Sequence, residues 1–283
     1  MMGRSTTSTD GDYYPEGRAD EVPAHRVSVR SYRLDKYEVT VGRYRRFVDA
    51  YATGWRPQAG TTGAHAQIPE SGWLGGWDDS NDYGTKLPPT GTDFAATKAM
   101  FATRLKCDAA YQTWTDAEGA NETYPINCVN WYEAMAFCIW DGGYLPTEAE
   151  WEYAAGGGDE ERRYPWGSSP EPTRSLATYA DFEFGAGSPF VAVGSKTGGR
   201  GRWLHEDLAG SLWEWNLDAR ADDWYSNEKA SGEDVCYLAA PTIRISRGGS
   251  WYHLAHLLRV NYRGGSEPTY RSSRLGLRCA RSE

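Results

Sequence analysis

The feature that most restricts how this chain can fold is its ring content set against its glycine content: 13 Trp and 19 Tyr share 283 residues with 32 Gly. Large rings bury much apolar area per residue, so they can hold a core together where regular secondary structure is sparse. Frequent glycine interrupts periodic segments and supplies turns. The mixture predicts short elements joined by many turns. Neither a Ser/Gly/Pro-rich linker nor a run of like charges divides the chain into two patterned halves, so a single domain over 1–283 is expected.

Regular structure is legible in few places. In His25–Thr40, Val27 and Val29, then Tyr32 and Leu34, alternate with polar residues, the period of half-buried strands. Thr40 then caps a helix whose apolar stripe is Val41, Tyr44, Phe47 or Val48, and Tyr51, with Arg43, Arg45 and Arg46 facing away. Residues 52–124 are rich in Gly, Thr, Pro, Asp and Trp, with a short helix expected only at ATKAMFATRLK, and read as a long surface excursion. Asn130-Trp-Tyr-Glu133 and Thr147-Glu-Ala-Glu150 have capping-box spacing, and glycines at 142–143 and 156–158 end the two helices. In the second helix Glu150 serves the cap and the other glutamates face solvent. From Tyr164 to Cys279 the pattern is turns and short strands.

A net charge of −9 with scattered arginines argues against a phosphate backbone or an anionic membrane as partner. No apolar run nears the ~20 residues of a membrane helix, so no direct insertion is expected. The start MMGRSTTSTDGDYYPEG lacks a charged-then-apolar leader, which predicts a soluble or already processed form. Five cysteines without a CxxC give little support to zinc. No Gly-rich phosphate loop, GxSxG or HExxH is present, and the acidic residues form no acid–base pairing pattern.

The strings RLDKYEVTVGRYRRFV (33–48), PINCVNWYEAMAFCIWDGGYLPTEAEWEYAAGGG (125–158), YPWG (164–167), DLAGSLWEW (207–215), RGGSW (247–251) and LGLRCA (275–280) resemble, in order, the signatures of the formylglycine-generating-enzyme (sulfatase-modifying-factor) superfamily. The resemblance spans nearly the whole chain and implies an α+β class fold: one irregular, C-type-lectin-like domain with few short helices and strands and much loop. Oxidases of that family place two copper(I)-binding cysteines just after RGGS[YW], soft thiolates for a soft ion. Here those positions are His253 and Leu258, so no copper is expected. His253 and His256 form a His-x-x-His pair, which is two ligands without a fixed carboxylate, against the plainer reading of two surface histidines.

The resemblance also implies a Cys138–Cys279 disulfide, with two buried thiols as the alternative, and a structural calcium held by Asp207 and Glu214 side chains and Gly210 and Leu212 carbonyls. The alternative for Glu214 is an ion pair with an arginine beneath Trp213 and Trp215. Cys107 and Cys128, near one another in sequence, are a second candidate pair, which leaves Cys236 over.

Between the anchors Trp251, Leu258-Arg259, Tyr262-Arg263, Pro268, Arg271 and Gly276 stand Tyr252, His253, Leu254, His256, Leu257, Gly264, Gly265, Ser266, Thr269, Tyr270, Ser272, Ser273 and Arg274. Each is reachable from an AAC codon by changing its adenines; Lys, Glu, Gln, Met and Trp, which are not, do not occur there. This resembles the variable region of diversity-generating-retroelement target proteins. It implies a ligand surface over 252–274, with Trp251, Tyr252, His253, Leu254, His256, Leu257, Tyr262, Tyr270 and Arg274 as contacts for a protein or other extracellular ligand. The expected location is secreted, periplasmic or cell-surface. The competing expectation is an oxidoreductase using an atypical metal site or Cys236.

Overall fold

The computed structural model describes residues 1–4, 17–60, 62–77, 86–89, 91–180, 190–239 and 243–283. Local chemistry sets its helices. In α1 (Val41–Ala52) Thr40 accepts from Arg43 N at 3.2 Å, and in α2 (Phe94–Leu105) Asp93 accepts from Ala96 N at 2.9 Å. Both expected capping boxes form. At α3 (Trp131–Trp140) the Asn130 side chain accepts from Glu133 N, and the Glu133 carboxylate accepts in return from Asn130 N. At α4 (Glu148–Gly156) Thr147 and Glu150 do the same at 3.0 and 2.8 Å, and Gly157 closes the helix at φ +74.

The strands are short. β1 (Val27–Ser28) runs parallel to β4 (Gly232–Glu233), and β2 (Tyr32–Leu34) pairs antiparallel with β8 (Ala280–Ser282), tying the early chain to its last residues. The main sheet has the order β6 (Gly264–Ser266), β5 (Arg244–Arg247), β3 (Trp213–Ala219), β7 (Leu275–Gly276), with only the β3–β7 pair parallel. Helices α1, α2 and α3 share one aromatic core with β3. Tyr44 stacks on Phe137 at 5.3 Å, and Phe47 meets Phe101 edge-on at 5.7 Å. Trp131 and Trp215 donate their indole N–H to the Asn216 and Val129 carbonyls, so burying those rings strands no donor.

Three expectations need correction. The 52–124 stretch is not confined to the surface: Trp73, Phe101, Leu105 and Trp114 are buried in the main core. Rings this large supply core volume without any periodicity to announce it. Arg45 does not face away; its guanidinium lies over Trp114 and donates to Glu122 and the Thr115 carbonyl. Glu148 and Glu152 are buried, not solvated. Arg263 forks onto Glu148 at 2.8 and 2.9 Å, and Arg247 pairs with Glu152. Burial would raise the Glu148 carboxyl, but Arg263 and Arg247 outweigh it and hold it below its ordinary value. The arginines that claim these acids lie about a hundred residues away, which a helical pattern cannot show.

Disulfides Cys138–Cys279 and Cys107–Cys128 both form, and Cys236 is left as a thiol. The first ties α3 to the residue before β8. It closes a loop of 141 residues, worth up to about 5 kcal/mol in the chain-entropy description. No helix among the described residues is long and apolar enough to cross a membrane.

Candidate functional site

β5 ends in the turn Arg247-Gly-Gly-Ser-Trp251. Gly249 sits at φ +76, and a side chain there would meet the Leu257 carbonyl at 2.9 Å, so glycine is required. The turn delivers Trp251 inward. Its main-chain N–H donates to the Ser211 carbonyl at 2.8 Å, its indole N–H to the Ser273 carbonyl at 3.1 Å, and Tyr111 packs on it at 4.8 Å.

Beyond this tryptophan, burial along 252–274 separates anchors from display positions only in part, since the anchors Tyr262 and Arg271 are partly exposed. Leu258, Arg259, Arg263 and Pro268 are buried, Tyr252 and Tyr270 are 58% and 46% exposed, and most other display positions are partly exposed. Ser273, a display position, is buried, and its hydroxyl donates to Asp108 at 2.8 Å. The segment is held largely by its own carbonyls. Those of His253, Pro268, Ser272 and Arg274 accept from the main-chain N–H of Ala180, Trp131, Cys128 and Trp213. The Tyr262 carbonyl accepts from Arg247, and the Ser273 carbonyl from Asn127 as well as Trp251.

Two adjoining hollows open on this segment. One, about 360 Å³, is lined by Trp251, Tyr252, Tyr270 and Arg271–Arg274, with Cys107, Asp108 and Tyr111 opposite. The other, about 280 Å³, lies over the β6–β5–β3–β7 sheet among Trp213, His253, Leu257, Tyr262, Gly264–Ser266, Arg18 and Arg220. They share Tyr270, Ser272 and Arg274. Leu254 and His256 line neither. Sequence reasoning missed Arg18, Arg220, Asp108 and Tyr111. Only the last two had a signal, since the Cys107–Cys128 bridge draws that stretch toward Ser272.

His253, partly buried, lines the second hollow. Trp213 Nε1 donates to its Nδ1 at 3.1 Å, and the Ser250 hydroxyl lies 2.6 Å from the same nitrogen. An accepting Nδ1 places the proton of the neutral ring on Nε2, so neither nitrogen offers a ready lone pair to a metal. Burial, with Arg274 and His256 nearby, pulls the imidazole down to about 4. Leu258, the other position of the expected sulfur pair, is fully buried against Tyr164, Ala177 and Ala209.

The four residues expected at a calcium site lie together before and in β3, but Glu214 is engaged. Arg278 forks onto both its oxygens at 2.7 Å, and Trp151 Nε1 donates to it at 2.7 Å. Asp207, at φ +57, accepts from Gly194 N at 2.6 Å. Glu38 is a third buried carboxylate here, accepting from Ser211 Oγ and Leu212 N. Burial, then Asp207 and Glu214, push it well above the usual carboxylate range.

A model of the sulfatase-modifying factor enzyme 1-like domain matches residues 3–283. The chain belongs to this family. Among its relatives, the inactive C-alpha-formylglycine-generating enzyme 2 of Bos taurus is 30% identical, over 98% of this chain and 85% of its own length. The formylglycine-generating enzyme of Bos taurus is 28% identical, over 98% and 72%. The solved Treponema denticola variable protein 1 superposes with a TM-score of 0.51 at 24% identity, covering 65% of this chain and 81% of that one. The fold is therefore the lectin-like one of the sulfatase-modifying-factor family, as the motif order implied.

The His253 environment makes a pH prediction. The unfolded ring titrates near 6.5 and the folded one near 4, so stability falls as pH drops from about 6.5 toward about 4. An NMR titration of the histidine Cε1–H signals should show two rings with midpoints near 4, those of His253 and His205, the former identified by its loss in His253→Gln. A His253 midpoint near 6.5 would contradict its partial burial beside Arg274.

Proposed function

We propose that this chain is a non-catalytic binding protein whose ligand surface is the pair of hollows around Tyr252, Tyr270 and Arg274. The observation that carries the reading is their joint lining: most of the candidate contacts of one C-terminal segment converge on two connected depressions. Exposed tyrosines give rigid contact area at small entropic cost, and the serines beside them give adaptable hydrogen bonding.

The case against oxidation is chemical. Copper(I) wants a soft sulfur pair, and the two positions assigned to it hold an engaged imidazole and a buried leucine. The remaining thiol, Cys236, is pushed up by burial and by Asp218, which leaves it little nucleophilic thiolate. Relatives include both an enzyme and a protein named inactive, so the weight rests on these residues. Titrating copper(I) with a cysteine-containing peptide in an oxygen electrode should give neither stoichiometric tight metal nor oxygen uptake; the pair of them would establish the rival oxidoreductase.

The outward positions of 252–274 fit an origin in templated adenine substitution, and the Treponema denticola protein of like fold is itself named a variable protein. The observation to make is genomic. A reverse transcriptase and a near-copy of these codons differing at adenines should lie beside the gene. If neither does, this origin falls and binding stands. Two disulfides support an oxidising compartment, and on this reading the protein is secreted, periplasmic or at the cell surface and meets an extracellular ligand.

Calcium fits the site before β3 in its charge. Glu38, Asp207 and Glu214 share Arg278, and burial raises both Glu38 and Asp207, so a divalent cation would take the place of the protons these carboxylates hold. Among the described residues no three acidic, His or Cys side chains converge on one point, so the Gly210 and Leu212 carbonyls would have to complete the oxygen set. Calcium should raise the unfolding temperature by several degrees, and Asp207→Ala should abolish the rise. An unchanged melting curve in millimolar calcium would remove the ion from this account.

A further inference from the structure

Four arginines line the two hollows, and three of them are already answered. Arg271 gives both terminal nitrogens to Glu133. Arg220 pairs with Asp20 at 2.6 Å and Asp222 at 3.1 Å. Arg18 pairs with Asp20 at 2.9 Å and donates to the Tyr262 hydroxyl.

Arg274 differs. Among the described residues no carboxylate pairs with it; its guanidinium lies 4.8 Å over the Tyr252 ring, and its Nε reaches only Ser272 Oγ at 3.4 Å. It is partly exposed and lines both hollows. The one acidic residue in the lining, Asp108, has its oxygens committed to Ser273 Oγ and Ala110 N. The neighbouring imidazole, His253, is neutral above about pH 4. Asp108 keeps its charge on the lining of the first hollow, but where the hollows meet Arg274 is the one lining cation that no described carboxylate pairs with, in a chain whose net charge is −9.

We infer that the ligand is an acidic peptide segment that presents a carboxylate to Arg274 and seats the side chains on either side of it in the two hollows. The inference rests on the binding role proposed above. The cation–π contact with Tyr252 takes up no N–H group, so the terminal nitrogens remain for a planar carboxylate, the pairing arginine makes best. Two connected depressions flanked by exposed tyrosines suit an extended chain with a carboxylate at the junction. A nucleic acid is disfavoured: it needs many cations along its track, and here three of four are neutralised.

The test uses the intact protein as bait for a random-peptide phage library, with Tyr252→Ala and Tyr270→Ala variants as site controls. Binders lost with the tyrosine variants should be enriched in Asp and Glu. For such a peptide, Arg274→Gln should weaken binding at least about tenfold, the loss typical of a charged hydrogen bond. Replacing the peptide's acid by its amide should do the same with the parent protein, and the two changes together should add little more. Arg274→Lys should recover part of the loss.

Binders that need the tyrosines but show no acidic enrichment, or whose affinity ignores Arg274, would overturn the anionic ligand and leave the binding face standing. A single-stranded oligonucleotide that binds as tightly through Arg274 would overturn the choice of a peptide. Failure to recover any binder sensitive to Tyr252 or Tyr270 would remove the binding face itself.

Discussion

Buried carboxylate–guanidinium pairs are the constraint on which the rest of this molecule depends. Glu148 with Arg263, Glu21 with Arg259 and Glu214 with Arg278 are almost wholly shielded from water, and each is a forked contact. Removing one partner of such a pair strands a charge in low dielectric, at a cost of about 3–5 kcal/mol. Their value lies less in net stability than in addressing. Each joins the stretch 259–278 to an element well removed in sequence: α4, the segment before β1, and the start of β3. A chain with so little regular secondary structure needs such fixed points, because hydrophobic burial alone does not choose among packings of similar volume.

These pairs also explain what could and could not be read in advance. Helix starts were legible because capping chemistry is local: Asn130 with Glu133 and Thr147 with Glu150 carry their signal within four residues. The burial of Glu148, Glu152 and Arg45 was not, since an acid on a helix reads as solvated until its distant partner is known. Trp73 and Trp114 were likewise hidden in a stretch without periodicity. At the candidate site, positions within 251–274 could be named from their codons and anchors, whereas Arg18 and Arg220 could not. They arrive through Asp20, a contact with no trace in any local pattern. The Glu214–Arg278 pair had been foreseen only as the alternative to a calcium ligand.

The manner in which residues 252–274 are fastened has a consequence for evolution. Hydrogen bonds accepted by the carbonyls of His253, Pro268, Ser272, Ser273 and Arg274 are indifferent to which side chain each residue bears. Loop shape is thereby uncoupled from loop sequence, so rings, hydroxyls or charges can be exchanged at Tyr252, Tyr270 or Arg274 while the path of the chain stays put. Gly264 marks where that freedom ends, since any side chain there would run into Trp213 at 2.9 Å. A surface built this way can explore new specificities with little risk to the scaffold beneath it, provided the exploration stops short of the sheet.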